Sequence, residues 1–311
     1  MANSKNKFDI VAHKKLYLII PAAILAATIL VILLFGAKVS IEFTGGTILQ
    51  YSYTGEEINV NEVSASVSDL GFNSAVITTG SAFGSDLQLL NFSFSASDGM
   101  GNDEQAQVTA MLQQKYPDKA ITLENNQNVS ATTGMSFFLK CLVAFVFAFL
   151  VFIIYIAYRF KKIGGWSTGI FALIALLIDI IVVVAVFVFF RLPIDSIFMA
   201  VILTIMGYSI NNTIIVFDRV RENKSLQNRQ LSARELINKS VRQSLTRSIN
   251  TTVTTAAALL ALSIVAVIFG VATILNFAFP LTIGLVSGIF TSLCVSGTFW
   301  ATWQERKIRK G

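Results

Sequence analysis

The sequence predicts a polytopic α-helical membrane protein: six transmembrane helices plus a small α/β ferredoxin-like extracytoplasmic domain. Three observations carry that prediction. Of 311 residues, 54% are hydrophobic and only 14% charged, with a mean hydropathy of +0.67, a balance that a soluble core does not need. Six apolar stretches are each long enough for the roughly 20 residues that cross a bilayer as a helix. Between the first and second stretches, residues 37–135 are polar and alternate between period-two and helical patterns.

In chain order, residues 1–15 form a short basic N-terminal segment and residues 16–36 the first span. Lys14 and Lys15 before an apolar run suggest a signal peptide, but the run is longer than the usual h-region and no A-x-A site follows, so it is read as a retained helix. Residues 40–53 alternate, with Ile41, Phe43, Ile48 and Tyr51 among polar neighbours, and predict a strand interrupted at Gly45-Gly46. Asn59 caps a helix that carries Val60, Val63 and Val67 and stops at Gly71. Strands at 73–79 and 87–95 flank a Gly/Ser turn, a helix opens at 101–104 and ends before Pro117, and residues 120–127 give a last strand. The order β-α-β-β-α-β is that of a ferredoxin-like unit. Residues 129–135 read as a linker back into the membrane.

Residues 136–301 hold five further spans, near 137–158, 167–190, 196–217, 249–273 and 277–301, with a basic loop at 218–247 and a basic tail at 302–311. The last two spans come from one uncharged tract, and a break is expected near Asn276 and Pro280. In the 218–247 loop, Ser232-Ala233-Arg234-Glu235 resembles a capping box that starts an amphipathic helix, with Leu236, Ile237 and Val241 facing the membrane or the bundle. Gly284-x-x-x-Gly288, continued by Ser292 and Ser296, is a close-packing pattern.

Charge sets the orientation. Nineteen of the 24 lysines and arginines fall at one face, so both termini of this multi-pass membrane protein are expected to be cytoplasmic. The 37–135 segment has three lysines against eleven acids. The net charge of +6 therefore reflects topology, with no nucleic-acid partner implied. Cys141 and Cys294 lie in apolar spans and read as small hydrophobes. His13, the single histidine, excludes a histidine-based metal cluster or catalytic triad within this chain.

The informative residues are the few polar ones inside the spans. Asn211 and Asn212 lie in an uncharged segment from Ser196 to Phe217, and unpartnered amides in hydrocarbon cost about 4–8 kcal/mol, so they should face protein or internal water. Asp179 sits midway along the third span; a central carboxyl usually pairs or titrates, although a purely structural hydrogen bond is the competing reading. Arg247 leads into Thr251, Thr254 and Thr255 on one face of the fifth span; the plainer account makes it an interfacial anchor. Asp179, Asn211, Asn212 and Arg247 are therefore expected to converge in a seam on one interior surface of the bundle.

Four stretches carry a family resemblance: Ile41-Glu42-Phe43-Thr44-Gly45-Gly46-Thr47, Ile178-Asp179, Gly207-Tyr208-Ser209-Ile210-Asn211 leading to Val216-Phe217-Asp218-Arg219-Val220-Arg221-Glu222-Asn223, and Ser244-Leu245-Thr246-Arg247 leading to Thr254-Thr255. In this order they resemble the SecF family, within SecD/SecF, over nearly the whole chain. The resemblance implies half of an RND-like bundle, an accessory role in late steps of preprotein export, and coupling to a proton or sodium gradient with no other cofactor. It implies a SecD-type subunit, a SecYEG-type translocon, the translocating preprotein and membrane lipid as partners. It also marks Phe43, Gly45, Gly46 and Thr47 as the motif after the first helix, and makes Asp179, Asn211, Asn212 and Arg247, with partner residues, the expected ion-coupling seam. Where the family pattern has an aspartate, this chain has Asn212, which cannot carry a proton. Alternatives are a passive scaffold without ion coupling and an RND-like exporter half; the chain has neither two halves nor a large outer domain. An enzyme is not expected, since no nucleophile–base pair, metal-ligand spacing or phosphate loop is present.

Overall fold

The computed structural model describes residues 9–72, 75–81, 87–95, 100–226 and 231–310. Expectations for 1–8, 73–74 and the 82–86 turn lie outside these residues. The membrane part comprises α1 (Leu16–Phe35), α5 (Ala131–Arg159), α6 (Gly165–Phe189), α7 (Ser196–Leu226), α8 (Ala233–Ile268) and α9 (Ala272–Phe290). A π-helical turn (Thr291–Ser296) joins α9 to α10 (Gly297–Lys310), so the described residues hold six crossings, the last running from Ala272 to Lys307. Between α1 and α5 lie α2 (Ile41–Thr44), β1 (Gly46–Tyr53), α3 (Val60–Asp69), β2 (Val76–Ser81), β3 (Gln88–Ser95), α4 (Asn102–Lys115) and β4 (Thr122–Val129).

The sheet order is β2-β3-β1-β4, every neighbouring pair antiparallel, as a split β-α-β-β-α-β unit requires. Period two puts Leu49, Tyr51 and Tyr53 of β1 on one face beside Leu90, Phe92 and Phe94 of β3. Onto that face pack Val63 and Val67 of α3 and Val108 and Leu112 of α4, all fully buried. Asn59 caps α3 as expected, accepting from the Asn61 N–H at 3.0 Å.

The chain departs from the expected elements in four places. Residues 41–44 form a single helical turn rather than strand, because the Ser40 hydroxyl accepts from Glu42 N–H and Gly45 N–H bonds the Ile41 carbonyl. Gly45 (φ 78°) and Gly46 (φ 144°) then turn the chain into β1. The expected 129–135 linker is largely helix: Ser130 Oγ accepts from Thr133 N–H at 3.2 Å and α5 starts at Ala131. The break in the last tract falls at Gly270 (φ 68°), where Val271 N–H returns to the Ala266 carbonyl, while Pro280 lies inside α9. A glycine at positive φ ends the helix there, whereas α9 continues through Pro280. Finally, α7 runs past its expected end at 217 to Leu226, and the helix expected from Ser232 starts at Ala233 and continues without a break into the fifth span as α8. Ser232 and Glu235 form the expected reciprocal cap, and Leu236, Ile237 and Val241 are buried in the bundle.

Helices α6, α7 and α9 form the bundle interior; α1, α5 and α8 flank them and leave broad apolar faces uncovered. At the end remote from the sheet, Asp218 pairs with Arg159 and Arg221, tying α5 to α7, and Asp9 pairs with Arg234. That guanidinium holds the Asp9 carboxyl below the usual aspartate range.

Candidate functional site: a hydroxyl-lined carboxylate

Helix α6 carries Asp179 into the middle of the bundle, where it is fully buried. A carboxylate so placed is tolerable only if its lone pairs are filled. Three hydroxyls fill them: Ser209 of α7 donates to Oδ2 at 2.5 Å, Ser287 of α9 donates to Oδ1 at 2.7 Å, and Thr291 lies 2.9 Å from both oxygens. Ser287 and Thr291 are four residues apart and so share a face, with Gly288 between them. A Cβ at Gly288 would stand 3.7 Å from Asp179 Oδ2, and one at Gly284 would collide with Ile205 and Val183. The small-residue spacing thus brings α9 close enough for its hydroxyls to reach the carboxylate. The π-helical turn begins at Thr291, the residue that spans both oxygens.

Polar contacts continue along the same interior face of α7. Thr213 donates to Ser292 at 3.0 Å, and Ser292 donates to the Ser209 carbonyl at 3.2 Å. Asn212, three residues beyond Ser209, is fully buried, and among the described residues neither its Oδ1 nor its Nδ2 has a hydrogen-bond partner.

The expected four-residue seam is only partly assembled. Asp179 and Asn212 lie inside, but Asn211 is exposed, because consecutive residues of a helix point about 100° apart. Arg247 is exposed too, on the uncovered face of α8. The threonines after it bond back to their own helix: Thr251 to the Arg247 carbonyl, Thr254 to Asn250 and Thr255 to Thr251. Helices α7 and α8 are joined instead by Tyr208 and Thr252, whose hydroxyls are 2.6 Å apart.

The motif after α1 forms a joint rather than a ligand site. Phe43 packs on Phe137 and Phe138 of α5, each with ring centroids 5.6 Å apart, and Thr47 is buried. A Cβ at Gly45 would lie 2.5 Å from Ala131 Cα, and one at Gly134 would lie 2.9 Å from Gly45 N. Glu42 Oε2 accepts from Ser196 N–H at 2.8 Å at the start of α7, and Val39 and Ile194 form a parallel bridge. Sequence reasoning missed Ser287 and Thr291 as ligands of Asp179, and Glu42 as the cap of α7. The available signal was Ser287-Gly288-x-x-Thr291, two hydroxyls at one-turn spacing around a packing glycine.

Fold and site together define a multi-pass membrane protein whose buried polar chemistry lies inside the helix bundle, with a ferredoxin-like domain mounted on one end. The family "Protein export membrane protein SecD/SecF, C-terminal" matches residues 107–306. The chain is 35% identical to the protein translocase subunit SecF of Acidaminococcus fermentans over 97% of this chain and 99% of that one. It is 30% identical to the protein translocase subunit SecDF of Bacillus subtilis over 98% of this chain but only 39% of that one. A crystal structure of SecDF from Thermus thermophilus, described as a translocon-associated membrane protein, superposes with a TM-score of 0.78 at 25% identity, covering 98% of this chain and 40% of that one. The chain belongs to the SecD/SecF family, with its likeness running nearly the full length of the Acidaminococcus SecF subunit, and is an accessory subunit of Sec protein translocation.

Proposed function

We propose that the chain couples an ion gradient, carried as protons, to late steps of preprotein export, with Asp179 as the group that takes up and releases the proton. The observation that carries this reading is the Asp179 cluster: a fully buried carboxylate whose donors sit on two other helices. An ionised carboxylate only accepts hydrogen bonds; once protonated it must donate one. At least one of Ser209, Ser287 or Thr291 must then reorient, so proton uptake and release favour different arrangements of α6, α7 and α9. The hydroxyls stand at hydrogen-bonding distance from the carboxylate, a spacing that suits a proton better than a sodium ion. Asn212 cannot titrate, and its buried amide makes no hydrogen bond among the described residues, so the proton path is not routed through it.

The gradient offers about 2.3 kcal/mol per charge per 100 mV, enough to shift a two-state equilibrium more than tenfold. Movement of α7 reaches the ferredoxin-like domain through Glu42 and the Val39–Ile194 bridge. Asn211 and Arg247 belong to the face offered to a SecD-type partner, since polar groups at such positions are costly against acyl chains. SecDF chains more than twice as long as the matched segment support a partner half of this kind. The basic end of the bundle is then cytoplasmic, with both termini on that side, and the ferredoxin-like domain meets the translocon and preprotein on the other.

The test is Asp179→Asn, which keeps the shape of the site and removes its proton. In vesicles containing the chain, its SecD-type partner and the translocon, gradient-stimulated export should fall to the unstimulated level while unstimulated export persists. Full stimulation in the variant would leave the passive scaffold as the correct reading.

A further inference from the structure

We propose that the groove between the end of α5, the start of α6 and α10 binds the headgroup of an anionic glycerophospholipid. The groove has a volume of about 980 Å³; Lys161, Lys224 and Lys307 line it, and none of its described lining residues carries a carboxylate side chain. Lys161 Nζ stands 4.3 Å from the centre of the Tyr158 ring, and Lys224 Nζ donates to the Lys162 carbonyl at 3.4 Å. Gly165 lets α6 start hard against the end of α5, because any Cβ there would strike the Ala157 carbonyl. The first amides of α6 therefore open beside the lysines, and their partial positive charge adds to the same field.

The rest of the wall is apolar and belongs to membrane-spanning helix. Ile154 and Ile170 are more than half exposed, as are Trp166 and Trp303 at the level where tryptophan marks the bilayer interface. A free anion would use none of that wall. A phospholipid uses all of it, phosphate among the lysines and acyl chain along Ile154 and Ile170. A zwitterionic headgroup would bring a cation, and none of the described lining residues has an acidic side chain to receive it.

The chain's own tryptophans report on the site. Trp166 and Trp303 line the groove, whereas Trp300 is buried at 2% exposure. The full chain is reconstituted in phosphatidylcholine vesicles containing a minor fraction of either phosphatidylglycerol or phosphatidylcholine with brominated acyl chains. Quenching should report phosphatidylglycerol enriched about fivefold or more at the tryptophans, since each lysine near a surface favours anionic lipid by about that factor. Lys161→Gln combined with Lys307→Gln, both at exposed positions, should abolish the enrichment. Lys239→Gln combined with Arg242→Gln removes as much charge from the same end of the bundle and should leave the enrichment intact. Equal quenching by the two brominated lipids overturns the proposal, as does equal loss in both double variants, which would indicate general surface charge. Displacement of the lipid by millimolar inorganic phosphate also overturns it, by showing a site for the free anion.

Discussion

At the scale of single residues, what distinguishes Asp179 is who holds it. Its donors come from two helices, and they are not equivalent. Ser209 rides on α7, the helix whose first turn is bonded to Glu42, whereas Ser287 rides on α9, which has no such bond among the described residues. Removing either hydroxyl takes one donor from a buried carboxylate and should cost about 1.5–3 kcal/mol of stability. Ser209→Ala and Ser287→Ala are therefore expected to lower thermal stability to a similar extent. Export should separate them: Ser209→Ala loses most gradient stimulation and Ser287→Ala keeps most of it. Equal loss in the two variants would mean that the carboxylate acts through the whole cluster and not through α7.

At the scale of elements, the joint between α1, β1 and α5 shows how far the sequence could be read. Gly45-Gly46 was visible as an interruption in an alternating pattern, but the turn of helix before it was not. Four residues show no periodicity, and the cap at Ser40 is a single weak bond of 3.3 Å. The longer elements were legible because burial repeats along them: Leu49, Tyr51 and Tyr53 mark a strand, and Val63 and Val67 a helix. Within the spans this signal fails, since an apolar helix gives no hint of which side faces protein. Asn211 and Asn212 have equally apolar surroundings in sequence, yet one is exposed and the other fully buried. Ser287 and Thr291 went unread for a related reason: membrane helices often satisfy such hydroxyls on their own carbonyls, as Thr251 and Thr254 do. The joint also yields a paired test. Gly36 and Gly45 share nearly the same backbone, φ 69° and ψ 167° against φ 78° and ψ 162°, a region open almost only to glycine. Nothing lies within 4 Å of a Cβ at Gly36, whereas at Gly45 it would press on Ala131 and Ser130. Gly36→Ala should cost about 1–3 kcal/mol from backbone strain alone. Gly45→Ala should cost distinctly more and expose the start of α5 to protease. Comparable melting temperatures for the two variants would show that the joint yields freely.

At the scale of the whole molecule, the question is how a change at Asp179 reaches a domain beyond the membrane. From Ser209 to the start of α7 the route is continuous helix, about 20 Å at 1.5 Å per residue, so a displacement at one end is delivered to the other. There Glu42 Oε2 accepts from Ser196 N–H, the Ser40 N–H bonds the Ile194 carbonyl, and the Ile194 N–H bonds the Lys38 carbonyl. Arg191 adds bonds to the Phe35 and Gly36 carbonyls at the end of α1. Asp195, pushed above the usual aspartate range by burial, caps α7 through Phe198 N–H at 3.0 Å. That second cap keeps α7 intact when Glu42 is changed, which makes Glu42 a clean probe of transmission. Glu42→Gln retains an acceptor oxygen and should behave nearly as the parent. Glu42→Ala removes the tether, at a helix-capping cost of about 1 kcal/mol, and leaves the Asp179 cluster untouched. Spin labels on α4 and at the α8–α9 connection should then report a broader distance distribution in Glu42→Ala, and gradient-stimulated export should fall while unstimulated export persists. Unchanged distances together with full stimulation would place the mechanical link elsewhere, at the packing of Phe43 against α5.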